Sequence, residues 1–232
     1  MSKTALKRAV QGFDAPTVSN LLESNPSLAP FRDPQGRNWL HVLSGVDVST
    51  KPLRQRRRSC EVAEVLLGAG VDLHAPAFSV DDWQATAVWY ATGRGKNHLL
   101  VTHLLDAGSS PEHCLWAAAY NDDTKMLTAL VDAGATLDAF AEGETPLIHA
   151  TKTRRYRAMT TLLDAGADPD LIDARGVTAL HYLIRQSPSP NLLRRFLRHS
   201  PRMDIADAKG ATAAELLRRK RDPALRGLAN PR

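Results

Sequence analysis

The sequence is poor in the residues that most small-molecule chemistry needs. Only two cysteines occur in 232 residues, Cys60 and Cys114. Neither belongs to a C-x-x-C pair, and a disulfide framework needs several spaced cysteines, so both are expected as reduced, half-buried thiols. No run of about 18 apolar residues exists, so no membrane span is expected. The opening segment lacks the apolar stretch of a secretory signal, which makes a reducing cytoplasm the expected compartment. Aromatics are scarce, at 6%. Charge of one sign is also lacking: 30 Lys and Arg stand against 25 Asp and Glu. An excess that small does not by itself indicate a nucleic-acid binder, so the placement of the charges has to decide.

Catalytic signatures are missing as well. There is no H-E-x-x-H, no G-x-x-x-x-G-K-[ST] and no G-x-S-x-G. Gly93-Arg94-Gly95-Lys96 has the flavour of a phosphate loop, but it lacks the preceding strand and full spacing. It falls at a turn between two helices, which is reason enough for glycine. His98 and His103 lie five apart on a helix, out of phase for shared metal ligation. No catalytic residue, metal or cofactor is expected, and the chain reads as a non-enzyme.

What the sequence does have is self-similarity. Leu162-Leu163-Asp164-Ala165-Gly166 recurs as Leu130-Val131-Asp132-Ala133-Gly134, Leu104-Leu105-Asp106-Ala107-Gly108 and Leu66-Leu67-Gly68-Ala69-Gly70. A second motif alternates with it: Gly143-Glu144-Thr145-Pro146-Leu147-Ile148-His149-Ala150, Gly176-Val177-Thr178-Ala179-Leu180-His181 and Gly210-Ala211-Thr212-Ala213-Ala214. Weaker copies begin at Gly36 and Gln84. Each threonine stands where a helix needs an N-cap, a contact worth about 1 kcal/mol. Pro146 suits the first helical position. Gly70, Gly108, Gly134 and Gly166 suit the left-handed position that ends a helix. Met159/Leu162/Leu163, Leu127/Leu130/Val131, Val101/Leu104/Leu105 and Leu193/Phe196/Leu197 each form one apolar helix face.

Two motifs in fixed alternation over residues 33–217 resemble the ankyrin repeat, whose period is about 33 residues with a T-P-L-H-x-A signature. The resemblance implies an all-α, ankyrin-type helix-turn-helix solenoid of five to six repeats, with an atypical N-terminal capping unit. One such unit cannot bury its apolar face alone; stacking on neighbours does so. We therefore expect capping helices over 1–32, the repeat array over 33–221 and a flexible tail over 222–232. His41, His149 and His181 are assigned to the signature histidine position, tying adjacent loops. Expected departures are an insertion from Gly45 to Ser59, a truncated hairpin near Pro111, Ser200-Pro201 in place of a helix-ending glycine, and a final unit of one helix, Thr212–Arg221.

The register also sorts the charges. Basic residues gather at the inter-helix edge: Arg54, Arg56, Arg57, Arg58, Arg154, Arg155, Arg157, Arg194 and Arg195. Acidic residues gather at the hairpins, where aspartate favours turns. Trp39, Trp89 and Trp116 read as core fillers, and Trp83 as the exposed one. In ankyrin-like proteins the partner lies in the groove formed by hairpin tips and first helices. That resemblance nominates Gln35, Arg37, Trp83, Glu142, Glu144, Arg175 and Lys209 on the hairpins. On the first helices it nominates Arg94, Tyr120, Asn121, Lys152, Arg185 and Gln186. The expected function is binding of another protein by a monomeric adaptor, inhibitor or immunity-like module. The alternative is a nucleic acid or anionic surface held at the arginine edge.

Overall fold

The computed structural model describes residues 2–80 and 83–229, with only the backbone of residues 79, 80 and 83. The chain forms two compact units, Met1–Cys114 and Leu115–Arg232.

The first unit holds α1 (Lys3–Gln11), α2 (Ala15–Ser24), α3 (Trp39–Ser44), α4 (Leu53–Gly68), α5 (Ala87–Tyr90) and α6 (His98–Asp106). Before α5, β1 (Ser79–Val80) and β2 (Trp83–Gln84) pair antiparallel. After it, the chain continues through a π-helical turn, Ala91–Gly95. Helices α1, α3 and α5 pack in one layer, and α2, α4 and α6 in the other. The N-terminal helix pair therefore continues both layers and covers the apolar face of the next pair. Trp39 lies in this core, 1% exposed. Its Nε1 donates to the Leu28 carbonyl at 2.7 Å, and its ring stacks on Phe31.

The second unit begins inside α7 (Cys114–Tyr120) and continues with α8 (Thr124–Asp132), α9 (Pro146–Lys152), α10 (Tyr156–Asp164), α11 (Ala179–Arg185), α12 (Pro190–Leu197), α13 (Ala213–Arg218) and α14 (Pro223–Arg226). Helices α9, α11 and α13 form one layer; α8, α10, α12 and α14 form the other. The apolar faces read from the sequence supply the core. Leu127, Leu130, Met159, Leu162, Leu163, Leu193 and Phe196 are buried, while Val131 and Leu197 are half-buried.

The local rules behind the motifs hold. The side chains of Thr86, Thr145, Thr178 and Thr212 accept from the backbone N–H three residues on. Asn38 does the same for α3. Gly70, Gly108, Gly134 and Gly166 all have positive φ, the geometry expected past a helix end.

Several details differ from the sequence reading. The insertion after α3 is partly helical, because Leu53–Ser59 lengthens α4; four arginines, good helix formers, lie in that stretch. Between α6 and α7 there is no hairpin. Ser200 itself takes the left-handed conformation, at φ 52°, so it replaces the missing glycine before Pro201 acts. Gly95 is not explained by turn geometry. A Cβ there would lie 2.3 Å from the Ser44 carbonyl oxygen, and the left-handed residue of that turn is Lys96. Past residue 221 the chain folds again: α14 packs on α12 and α13, and Leu225 is 3% exposed. A single apolar leucine, capped by Asp222 and started by Pro223, anchors this last turn.

Candidate interaction surface

Three hairpins share one construction. Asp33, Asp173 and Asp207 each precede a glycine by three positions. Each carboxylate accepts two backbone N–H groups of its own turn: Gln35 and Arg37, Arg175 and Val177, Lys209 and Ala211. Each also takes a side-chain partner, namely the Arg37 guanidinium, the Tyr182 hydroxyl and the Arg185 guanidinium. Burial works to raise the pKa of all three, and these hydrogen bonds outweigh it, so all three stay below the usual carboxylate value. The acidic residues at these positions build the turns rather than charge a surface. The pattern D-x-x-G-x-[TN] was available in the sequence.

The signature histidines join one hairpin to the next. The His41 ring bridges Asn38 at 2.7 Å and the Ala85 carbonyl at 3.2 Å. His181 bridges Thr178 at 2.7 Å and the Ala211 carbonyl at 3.1 Å. Burial holds the pKa of His41 down to about 4 and lowers that of His181, so both rings serve as neutral linkers. His149 does not belong with them. It stands four residues after its threonine cap rather than three, and Ile148 occupies the signature position. Its Nδ1 lies 2.7 Å from Glu144 Oε1, within the same repeat, and its Nε2 is buried without a hydrogen-bond partner among the described residues.

The repeat around His149 departs from the others in several ways. Phe140 stands where the other hairpins carry aspartate, and it is 47% exposed. The turn is a two-residue hairpin, closed by mutual Ala141–Glu144 backbone bonds, with Glu142 and Gly143 both at positive φ; that geometry matches the twist of paired strands. Glu144 turns inward, its side chain 8% exposed, and holds both His149 and the Lys152 ammonium. Burial would raise its pKa, but the bonds from His149 and Lys152 leave it below 4.5. The Trp116 ring lies 4.1 Å from that of His149, and Tyr120 stacks on both. Trp116 Nε1 is a buried donor without a hydrogen-bond partner among the described residues. Tyr120 is 54% exposed, so a fixed, partly desolvated aromatic stack ends in a solvent-facing phenol. Departures from an otherwise consistent pattern are where function is expected.

Residues 89–173 match the family model for ankyrin repeats, in three copies. A solved structure of the human ASB11 ankyrin repeat domain superposes with a TM-score of 0.75 at 18% identity, covering 100% of this chain and 99% of that one. The ankyrin repeat domain of Bcl-3 gives 0.72 at 21% identity, covering 98% of each. This chain carries ankyrin repeats. Its fold is the all-α helix-turn-helix arrangement expected from the repeats. SH3 and multiple ankyrin repeat domains protein 2 of Homo sapiens is 35% identical over 92 residues, 35% of this chain and 5% of that protein. An L-asparaginase of Dirofilaria immitis is 31% identical over 160 residues, 65% of this chain and 24% of that protein. The ankyrin repeat protein nuc-2 of Neurospora crassa is 34% identical over 91 residues, 36% of this chain and 8% of that protein. The chain thus spans a quarter or less of these relatives. Ankyrin repeats generally mediate contacts between proteins. Among the described residues no cluster of His, Cys, Asp or Glu could hold a metal ion, and no helix is long and apolar enough to cross a membrane.

The nominated groove residues fall into two groups. Many are held by the protein itself. Arg37 is tied to Asp33 and Gln35, Lys152 to Glu144, and Arg185 to Asp207. Gln186 receives the Tyr156 hydroxyl and donates to the Thr151 and Lys152 carbonyls, closing the end of α9. Asn121 is half-buried, and Glu144 is buried, a reversal of its expected place on the surface. Tyr120, Glu142, Arg175 and Lys209 are exposed. Arg94 is exposed and lies over the Tyr90 ring at 5.4 Å. The side chain of Trp83 lies outside the described residues. Sequence reasoning missed Phe140 and Ile172, the latter 48% exposed at the next hairpin; a phenylalanine in the aspartate position was the available signal.

The arginine edge is less uniform than its composition suggests. Arg56 donates to the Lys51 and Ser49 carbonyls and fastens the insertion. Arg195 pairs with Asp164 at 2.9 Å, and Arg194 bonds Asn191. Arg54, Arg57 and Arg58 on α4, and Arg154, Arg155 and Arg157 before and in α10, are exposed.

Proposed function

We propose that this chain is a non-catalytic protein-interaction module. It docks another protein on the first-helix and hairpin side of the Leu115–Arg232 unit, around the repeat that carries Phe140, Glu144 and His149. The observation that supports this most is Tyr120. It is exposed, yet fixed on Trp116 and His149, and is accompanied by the apolar hairpin residues Phe140 and Ile172. Rigid aromatic anchors beside tethered charges are the composition of a binding hot spot. The chain acts as a monomer, in a reducing cytoplasm that suits its two free thiols. We read the likeness to an L-asparaginase as one between repeats, so the purified chain should not hydrolyse asparagine.

The test is affinity capture with mass spectrometry. Tyr120→Ala with Phe140→Ser should lose the protein captured by the wild type while helical circular dichroism is unchanged. Arg154→Glu with Arg155→Glu should keep it. Retention by the first variant would remove this face from the reading.

A nucleic-acid or anionic-surface partner is the second reading, supported by Arg54 and Arg57, which are exposed and hold no ion pair among the described residues. It requires binding that falls with salt at a log–log slope of about −0.9 per phosphate contact. No retention of DNA or RNA at low salt excludes it.

A further inference from the structure

Within the Met1–Cys114 unit, a pocket of about 410 Å³ opens between α1, α3 and the end of α5. Its walls include Lys7, Arg37 and Arg94, with the half-buried Phe31 and Val42 as apolar surface and the buried Tyr90 beneath Arg94. Asp33 also lines it, and that carboxylate is committed to Arg37 and to two backbone N–H groups. Lys7 and Arg94 hold no carboxylate among the described residues. Arg94 is steadied over the Tyr90 ring. His41, in the same wall, is neutral near pH 7, since burial lowers its pKa to about 4. Two cations without a carboxylate partner among the described residues therefore line a concave site together with apolar surface.

We infer that this pocket receives an acidic segment of the protein partner: an Asp or Glu side chain between Lys7 and Arg94, next to an apolar residue on Phe31 and Val42. The inference rests on the protein-binding reading above and adds a second contact, of defined chemistry, on the other unit. Charge complementarity selects the occupant. A guanidinium already stacked on an aromatic ring is held in place to accept a carboxylate, which lowers the ordering cost of binding.

The probe is a fluorescein-labelled peptide of alternating Glu and Leu, compared with the same peptide carrying Gln for Glu and with one carrying Lys for Glu. Fluorescence anisotropy should show binding of the Glu peptide, at least about tenfold weaker binding of the Gln peptide, and none of the Lys peptide. Lys7→Glu with Arg94→Glu should abolish the signal, and the milder Lys7→Gln with Arg94→Gln should weaken it. Lys125→Glu, an exposed cation that does not line the pocket, should leave it unchanged. Equal binding of the Glu and Gln peptides, or no binding of either, overturns the inference. So does a signal unaffected by both pocket variants, or a duplex DNA that binds more tightly than the Glu peptide through the same two cations. Failure here is separable from failure of the protein-binding reading. A cellular partner lost with Tyr120→Ala/Phe140→Ser but kept by Lys7→Glu/Arg94→Glu sinks the pocket alone.

Discussion

Replacing Glu144 by Gln separates the two arms of the carboxylate that organises the unusual repeat. One arm reaches Lys152, whose side chain is 37% exposed; water can replace it, so its loss costs about 0.5 kcal/mol. The other arm reaches His149, 7% exposed, at 2.7 Å. A glutamine oxygen can still accept there, but the bond loses its charge assistance, worth about 1 kcal/mol. The total is about 1–2 kcal/mol. For a chain of 232 residues that lowers Tm by roughly 2–8 °C. Glu144→Ala removes both acceptors and leaves His149 Nδ1 buried without a partner, next to an Nε2 that already has none among the described residues; it should cost about 3 kcal/mol. The carboxyl is held below its usual 4.5 in the folded chain. Its stabilisation is therefore full above that value and is lost as pH falls through the lower folded-state value. Thermal and urea unfolding of the three proteins, followed by far-UV circular dichroism from neutral pH downward, measures this. The gap between wild type and Glu144→Gln should narrow on acidification. A glutamine variant as stable as wild type at neutral pH, or a gap that widens as pH falls, would refute the assignment.

Gly95→Ala should cost about 2–4 kcal/mol, because its Cβ would meet the Ser44 carbonyl oxygen at 2.3 Å and threaten the bond from Val48 N–H to Gly95 O. Gly166→Ala meets nothing within 4 Å and has φ 98°, so it should cost only about 1–2 kcal/mol through left-handed strain; denaturant midpoints that reverse this order would contradict the close-approach argument. The Tyr182 hydroxyl is pushed up to about 12, by burial first and then by its bond to Asp173. Asp173→Asn should bring it down toward the usual value, and an ultraviolet phenolate titration unchanged by the substitution would show that Asp173 does not hold it. Leu163→Ala, at a position 2% exposed in α10, should lower stability by about 2–5 kcal/mol in urea unfolding; a loss under 1 kcal/mol would mean that the site closes over its own cavity.

Much of the fold was legible because each motif position obeys a local rule. The threonine caps, the left-handed glycines after α4, α6, α8 and α10 and the i, i+3, i+4 apolar stripes all hold. Misreadings arose where a residue's role depends on a neighbour distant in sequence. Gly95 is glycine because Ser44 lies against it, a fact that no turn propensity encodes. His149 was placed in the signature position because its neighbourhood looks alike, although it is offset by one residue and its ring meets Glu144 and Trp116. Turn chemistry was expected to explain the acidic edge only in part, whereas hydrogen bonds to their own turns hold Asp33, Asp173 and Asp207. Of the nominated groove, Gln35, Arg94, Tyr120, Glu142, Arg175 and Lys209 are exposed, while Arg37, Lys152 and Arg185 are tied to carboxylates.

By itself the sequence determined the repeat, its register and therefore which face of each helix is apolar, because these follow from periodicity and from capping chemistry that acts within four residues. Tertiary structure alone decided which charges are spent inside the protein and which face water. It also placed Lys7 and Arg94 around one pocket, and Trp116, Tyr120 and His149 in one stack. Those outcomes depend on distances between residues far apart in the chain, and distance across a packed layer is not written in local sequence.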